Sequence, residues 1–139
     1  LFRTFKFRSM VVAGGGNAWA TRGDPRVTRV GAFLRRYSID ELPQMINVLR
    51  GEMSVVGPRP EIPEYVERFE REVPRYADRH LVKPGITGWS QLYLDRLLTP
   101  DDIRDVLRLD LFYIEHWGIF MDLSIVAKTG AEFLFHRAP

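Results

Sequence analysis

Residues 38–51 constrain the fold most, because they place two adjacent acids between two short helical patterns. Upstream, apolar residues at helical spacing predict a helix capped by Thr28. Downstream, a second apolar stripe predicts another helix, which Gly51 ends. Asp40 and Glu41 are therefore predicted to lie where one amphipathic helix gives way to the next. The stripes comprise Val30, Phe33, Leu34 and Tyr37 in the first helix, and Leu42, Met45, Ile46 and Leu49 in the second.

The two acids have two candidate roles. By local rules they belong to a capping box, in which Ser38 accepts a hydrogen bond from the N–H of Glu41 and Glu41 reaches back to Ser38. Guanidinium groups nearby in sequence, at Arg36 and Arg59, would favour ionised carboxylates. An ionised carboxylate can attack phosphorus, and a second one beside it can bind Mg²⁺. These residues alone leave both roles open, a helix cap and a reactive pair.

Short strands are predicted in two places. Phe5 and Phe7 alternate with Lys6 and Arg8, which predicts a strand with one buried face and one basic face. Residues 53–56 predict a second short strand, because they are mostly β-forming residues followed by a Gly-Pro turn.

Helices account for most of the remaining chain. Pro63 suits the first turn of a third helix. Residues 99–102 predict the start of a fourth, and Asp122 is expected to cap the last. Residues 13–17 are glycine-rich but lack the spacing of a phosphate-binding loop, so they are interpreted as an ordinary loop. We expect a helix-dominated α+β fold forming one domain over residues 1–139.

Composition excludes some chemistry and points to an anionic partner. The chain has no cysteine and three scattered histidines, so disulfides, thiolate catalysis and a histidine-rich metal site are excluded. Residues 1–36 hold eight Lys and Arg residues and one acid, a net charge of +7, whereas the rest carries −5. This asymmetry suits a phosphate ligand, an anionic membrane surface or nucleic acid, with a solvated face as the plain alternative.

Basic residues form three groups that suit a bound diphosphate with a metal ion. Arg59 sits in a stiff Gly-Pro-Arg-Pro turn, and its planar fork can bind a phosphate through two hydrogen bonds. Each group alone could equally be a surface feature. The other two are Lys6 with Arg8 and Arg79 with Lys83.

Aromatic residues in the second half are expected mainly in the core, with a membrane-facing surface as the alternative. They are Tyr93, Tyr113, Trp117, Phe120, Phe133 and Phe135.

Six short motifs are distributed along nearly the whole chain. They are Phe5-Lys6-Phe7-Arg8-Ser9-Met10, Asp24-Pro25-Arg26-Val27-Thr28-Arg29-Val30-Gly31, Asp40-Glu41-Leu42-Pro43-Gln44, Val56-Gly57-Pro58-Arg59-Pro60-Glu61, Lys83-Pro84-Gly85-Ile86-Thr87-Gly88-Trp89 and Asp110-Leu111-Phe112-Tyr113-Ile114. In content and order they resemble those of the bacterial sugar transferase family, the monotopic polyprenyl-phosphate phosphoglycosyl transferases. The departures are small: Ser90 stands where alanine is common, and Gly118 where serine is common.

The resemblance implies a specific reaction. A sugar 1-phosphate would pass from a UDP-sugar to undecaprenyl phosphate, with release of UMP and a requirement for Mg²⁺. Asp40 would be the nucleophile that forms a covalent phosphosugar intermediate. Glu41 would hold the metal or assist the acceptor, and Arg59 would contact the nucleotide. Further candidates for substrate binding are Lys6, Arg8, Arg36, Arg79 and Lys83.

The resemblance also implies a location. Amphipathic helices would lie at the interface of the bacterial inner membrane, on its cytoplasmic face, held by a re-entrant helix that would precede Leu1. The glycan would be an exopolysaccharide, an O-antigen or a glycoprotein glycan, while the sugar and any homo-oligomer stay open. Two other functions compete, a nucleic-acid-binding domain using the basic first quarter and a non-catalytic scaffold for assembly.

Overall fold

The computed structural model describes residues 1–11, 23–94 and 102–134. Along these ranges run six α-helices, two 3-10 helices and two short strands. The predicted helix-dominated α+β fold is confirmed, and none of the helices within the described ranges is long and apolar enough to cross a membrane. The α-helices are α1 (Arg29–Arg36), α2 (Met45–Leu49), α3 (Pro63–Glu72), α4 (Trp89–Tyr93), α5 (Ile103–Glu115) and α6 (Ile119–Leu134). The 3-10 helices are Ile39–Gln44 and Tyr76–Leu81, and the strands are β1 (Ser54–Val56) and β2 (Gly85–Thr87).

One core cluster joins α3, the second 3-10 helix and α5. Pro63 occupies the first turn of α3, as predicted, where its missing N–H has no intrahelical partner to lose. Phe69, Tyr76 and Val106 are buried together in this cluster. The predicted helix start at residues 99–102 lies partly outside the described residues, and α5 begins at Ile103.

A second cluster holds the sheet against α5 and α6. β1 and β2 pair in parallel, with Ser54 opposite Gly85, so the strand predicted near residues 53–56 is confirmed. Val56, Tyr113 and Ile125 are buried between the sheet and the two helices.

The prediction that Asp122 caps the last helix is wrong. The helix begins at Ile119, and the N–H of Asp122 already donates to the carbonyl of Gly118 at 3.0 Å. The Asp122 carboxylate accepts instead from the hydroxyl of Tyr113 at 2.8 Å. Burial, with help from Asp122, raises the pKa of Tyr113, so this hydroxyl stays a donor.

Residues 3–8, the N-terminal segment, do not form the predicted strand. Their backbone instead binds Asn47 of α2, whose side chain accepts from the N–H of Phe5 at 3.0 Å and donates to the carbonyl of Arg3 at 2.7 Å. The N–H of Phe7 donates to the carbonyl of Asp40 at 2.9 Å. Because its partners are a side-chain amide and a helical carbonyl, this segment lies against residues 40–47 without a strand ladder.

Helices α1 and α2 form where predicted, but most residues of their apolar stripes are exposed. Thr28 caps α1 through a 2.8 Å hydrogen bond from Gly31, and Gly51 after α2 takes the left-handed conformation of a helix stop. The α2 region buries Asn47 and Gln44, whereas Leu49 is 85% exposed. The polar side of α2 faces inward because it holds the N-terminal segment.

The expected core placement of the aromatic residues holds only in part. Tyr113 is buried, but Tyr93, Trp117 and Phe120 are exposed, the last to 84%. The predicted loop at residues 13–17 and Phe135 lie outside the described residues.

Candidate active site

Asp40 and Glu41 lie in the first turn of a tight 3-10 helix. Ser38 immediately before it adopts a left-handed backbone, with φ of 47°, which is uncommon and costly for a residue with a Cβ. Its side chain makes no cap hydrogen bond to this helix, and only its carbonyl accepts from the N–H of Glu41, at 3.1 Å. The capping-box prediction is therefore wrong, because the Glu41 carboxylate has stronger partners elsewhere.

Those partners are two cations. Lys6 Nζ lies 3.1 Å from Glu41 Oε1, and Arg59 Nη2 lies 2.6 Å from the same atom. A longer contact of 3.5 Å joins Arg59 Nη1 to Glu41 Oε2. Burial opposes ionisation of Glu41, but Arg59 and Lys6 outweigh it and lower the pKa of Glu41 to about 2. Glu41 is thus held ionised and fixed in place.

Asp40 differs from its neighbour. It is 9% exposed, and its backbone carbonyl is fixed by the N–H of Phe7. Within the described part of the chain its carboxylate accepts no hydrogen bond. Its negative charge nevertheless reaches Arg59: burial works against the guanidinium charge, but Glu41, Glu61 and Asp40 together raise the pKa of Arg59. The two adjacent acids therefore have different surroundings, one doubly ion-paired and one unbound.

The Arg59 turn is positioned by close backbone contact with the β2 segment. A Cβ on Gly57 would overlap the backbone of Lys83 and Gly85, so the turn requires glycine there. Gly57 N–H donates to the carbonyl of Thr87 at 2.9 Å, and Gly85 N–H donates to the carbonyl of Pro58 at 2.9 Å. These contacts hold two motifs that are far apart in sequence against each other, next to the site.

A buried ion pair between Arg79 and Asp110 also contacts the backbone of this turn. Arg79 is 2% exposed and donates to Asp110 Oδ2 through Nη2 at 2.7 Å and through Nε at 3.1 Å. Its Nη1 donates to the hydroxyl of Tyr76 at 2.7 Å, and its Nη2 also donates to the carbonyl of Arg59 at 3.0 Å. Ser90 completes the network with a 2.7 Å hydrogen bond to Asp110 Oδ1. Arg79 therefore holds the backbone of Arg59.

The predicted site residues divide into those that the fold brings together and those that it does not. The fold brings together Lys6, Arg59, Asp40 and Glu41. The Arg36 guanidinium instead lies 5.8 Å from the ring of Tyr37. Lys83 Nζ lies 3.7 Å from the position that a Cβ on Gly51 would take, and Arg8 is exposed. In the described structure no contact joins these three cations to the cluster, and their role as substrate contacts stays a prediction.

Two further residues belong to the site although no charge or helical pattern predicts them. Gln91 Oε1 accepts from Arg59 Nη1 at 3.1 Å. Glu61 lies near Arg79, Arg59 and Lys6, and burial, opposed by those cations, raises its pKa. Glu61 is the last residue of the motif that contains Arg59, so its closeness in sequence could have indicated a place in the site. Gln91 lies two residues after the motif that ends at Trp89, and no sequence signal links it to Arg59.

The acidic side chains of the site decide whether it suits a divalent metal ion. In the described ranges no three acidic, histidine or cysteine side chains cluster as a ready-made metal site. Magnesium needs fewer, because it commonly takes one or two carboxylates and completes its shell with phosphates and water. The adjacent acids Asp40 and Glu41 fit that smaller requirement.

Comparison with known proteins identifies the family. The profile of the family described as bacterial sugar transferase matches residues 1–136. The chain is 47% identical over 92% of its length to a UDP-N-acetylgalactosamine-undecaprenyl-phosphate N-acetylgalactosaminephosphotransferase of Aeromonas hydrophila. It is 45% identical over 96% to a UDP-glucose:undecaprenyl-phosphate glucose-1-phosphate transferase of Xanthomonas campestris pv. campestris, and 46% over 91% to the protein of that name from Escherichia coli K12.

The profile match and these relatives agree on the class of protein. The chain belongs to the bacterial sugar transferase family. It spans 31% of the Aeromonas relative and 28% of each of the other two, so it corresponds to under a third of these proteins.

Proposed function

We propose that this domain transfers a sugar 1-phosphate from a UDP-sugar to undecaprenyl phosphate and releases UMP. The names of three relatives, which act on UDP-glucose or UDP-N-acetylgalactosamine and undecaprenyl phosphate, support this reaction. The observation that carries the proposal is the unequal pair of acids, with Glu41 clamped between Lys6 and Arg59 and Asp40 unbound beside it. The product would initiate synthesis of an exopolysaccharide, an O-antigen or a glycoprotein glycan.

In the first step a carboxylate oxygen of Asp40 attacks the β-phosphorus of the UDP-sugar. A phosphorus–oxygen bond forms to Asp40 as the bond to the bridging oxygen breaks, and UMP leaves with that electron pair. In the second step an oxygen of undecaprenyl phosphate attacks the same phosphorus and releases the Asp40 carboxylate. Lys6 and Arg59 supply fixed positive charge beside the reacting phosphate, where negative charge develops.

Glu41 is the other half of this division of labour. Its carboxylate holds Arg59 through two oxygens and Lys6 through one, so both cations are in place before substrate arrives. A diphosphate entering between them would compete with Glu41 for their hydrogen bonds. Glu41 would thereby become available as a metal ligand, one of the two roles that the resemblance implies, the other being assistance to the acceptor.

The charges of the cluster argue for Mg²⁺ as a cofactor. Because Arg79 is paired with Asp110, Lys6 and Arg59 remain to balance Asp40, Glu41 and Glu61, so adding a diphosphate would make the site strongly negative. Mg²⁺ bound with the diphosphate would neutralise phosphate charge and polarise the reacting phosphorus. Glu41, with Asp40 beside it, would hold that ion.

We place the domain on the cytoplasmic face of the bacterial inner membrane. Two outward apolar faces support this proposal, because a soluble surface seldom collects so many large apolar side chains. The lipid phosphate acceptor would reach the site from that surface. The faces consist of Leu42, Met45, Ile46 and Leu49 around α2, and Trp117, Ile119, Phe120 and Leu123 at the start of α6.

The proposal is tested by UMP release from the full-length protein in membranes, using a panel of UDP-sugars with undecaprenyl phosphate and Mg²⁺. At least one UDP-sugar should give UMP together with a lipid-linked sugar diphosphate. Asp40→Asn should abolish both products, whereas the control Asp105→Asn, at an exposed position on α5, should not. An intact wild-type protein that releases no UMP from any sugar in the panel would favour the scaffold.

A further inference from the structure

One buried polar atom beside the site has no partner. Gln91 Oε1 accepts a hydrogen bond from Arg59 Nη1 at 3.1 Å, but Gln91 Nε2 is buried and makes no hydrogen bond in the described structure. A buried N–H group without an acceptor is uncommon, because it loses its bonds to water and gains nothing in return. Its position next to Arg59 indicates that the acceptor belongs to a ligand.

The orientation of this amide is set by chemistry. Arginine carries only donors, so the Gln91 atom that faces Arg59 must be the oxygen. Turning the amide over would set its NH₂ against the guanidinium and remove the 3.1 Å hydrogen bond. Nε2 therefore lies on the other side, 3.6 Å from the position that a Cβ on Gly88 would occupy.

The backbone that carries Gln91 is fixed. A Cβ on Gly88 would overlap the carbonyl oxygen of Gly57, so the start of α4 lies directly against the Arg59 turn. Ser90, the residue before Gln91, is anchored through its hydroxyl to Asp110 at 2.7 Å. Gln91 is thus held beside Arg59 by contacts on two sides, and its orphan donor belongs to the same rigid unit as the guanidinium.

The acceptor that fits is an anionic oxygen of the substrate. Glu41, the neighbouring acid on Arg59, already binds Arg59 and Lys6 with its two oxygens. The oxygens of an ionised phosphate carry no hydrogen and act as acceptors. One phosphate can therefore accept hydrogen bonds from the guanidinium and from the amide NH₂. The Arg59 side chain is 40% exposed, so a phosphate can approach its guanidinium from solvent while Gln91 Oε1 still holds it.

We propose that Gln91 is a phosphate-binding residue of the nucleoside diphosphate site. Its Oε1 holds Arg59, and its Nε2 donates to a phosphate oxygen of the bound nucleotide. This inference rests on the proposed function, because it takes the ligand to be a nucleoside diphosphate.

A double-mutant cycle separates direct binding from an effect through Arg59. The probe is UDP with Mg²⁺, and its dissociation constant is measured by calorimetry on the full-length protein carrying Gln91→Met, Arg59→Met or both. The control Glu67→Met places the same side chain at an exposed position on α3. Because a hydrogen bond to a charged group is strong, Gln91→Met should weaken UDP binding about tenfold. It should weaken binding by at least about threefold again in the Arg59→Met background, since independent contacts add.

Two results would overturn the inference. If Gln91→Met has no further effect once Arg59 is replaced, Gln91 acts only by holding Arg59. If Gln91→Met binds UDP as the control does, water serves the orphan NH₂ and the ligand does not. Failure of the proposed function looks different, because the wild-type protein would then neither bind UDP nor release UMP. Circular dichroism of each variant checks that the fold is retained.

Discussion

Arg59 Nη2 lies 2.6 Å from Glu41 Oε1, and Lys6 Nζ shares the same carboxylate oxygen at 3.1 Å. One acid thus joins the N-terminal segment to the Arg59 turn. Asp40, the acid next to Glu41, has no hydrogen bond to its carboxylate in the described site. The proposed division of roles between the two acids follows from this single set of contacts.

The Glu41 ion pair should make stability depend on pH. The pKa of Glu41 falls from 4.5 to about 2 on folding, so the ionised form stabilises the folded protein above pH 4.5. That stabilisation is lost as the pH falls from 4.5 towards 2. Allowing for the partial exposure of Arg59, Glu41→Gln should remove about 2 kcal/mol of this pH-dependent stability. Denaturant unfolding of wild type and variant at pH 6, 4.5 and 3 measures the difference.

The matched control for this experiment is Asp78→Asn, which breaks the surface pair of Asp78 with Arg75. Its stability should follow the wild-type pH dependence closely. Parallel curves for wild type and Glu41→Gln would show that the ion pair does not contribute in solution.

The buried pair of Arg79 and Asp110 should be a strong structural requirement. Asp110→Asn leaves the Arg79 guanidinium buried without its counter-charge, which costs about 3–5 kcal/mol of unfolding free energy. The exposed pair of Arg68 with Glu72 gives the comparison, since Glu72→Gln should cost less than about 1 kcal/mol. Because Arg79 also holds the carbonyl of Arg59, Asp110→Asn should raise KM for the UDP-sugar more than it lowers kcat. If thermal unfolding shows the same small loss of stability for Asp110→Asn and Glu72→Gln, the buried pair is not the structural requirement that we predict.

Much of the fold follows from local patterns. The Pro63 helix start, the Thr28 cap and the Gly51 stop each depend on residues within one turn, so the sequence alone predicts them. The outward stripes of α1 and α2 could not be predicted that way, because periodicity finds an apolar face without saying what it contacts. The buried amide of Asn47, which binds the N-terminal segment, decides which side of α2 faces inward.

The site was predictable in part for a similar reason. Lys6, Arg59 and the two acids carry charges that suit phosphate chemistry, and they are brought together as expected. The capping box fails because Glu41 finds two cations that lie 35 and 18 residues away in sequence. Arg79 has the charge of a ligand contact but is buried against Asp110, and nothing local in the sequence distinguishes those two settings.

Gly57 should tolerate no side chain. A Cβ there would overlap the backbone of Lys83 and Gly85, and backbone atoms cannot move aside as a flexible side chain can. Gly57→Ala should therefore cost at least about 2 kcal/mol of stability, in the range typical of overpacking. Gly118→Ala is the control, since a Cβ at Gly118 meets nothing within 4 Å. The prediction is wrong if the two variants unfold at the same denaturant concentration.

The exposed start of α6 should contact lipid. Trp117 is exposed next to Phe120, whereas Trp89 packs against Phe112 with ring centroids 5.7 Å apart. In bilayers containing brominated lipids, which quench nearby tryptophans, the full-length protein should lose fluorescence. Trp117→Phe should remove most of the quenchable signal that these two tryptophans contribute, and Trp89→Phe little of it. Equal quenching in wild type and Trp117→Phe would place α6 away from the membrane.

The proposed nucleophile is tested most directly by trapping the covalent intermediate. The full-length protein is incubated with UDP-sugar and Mg²⁺ without undecaprenyl phosphate, quenched in acid, digested and examined by mass spectrometry. We predict a sugar phosphate attached to Asp40 itself, formed with one UMP per labelled protein and lost on adding undecaprenyl phosphate. Asp40→Asn should carry no label. A label on another residue, or UMP release undiminished in Asp40→Asn, would contradict the assignment of Asp40 as the nucleophile.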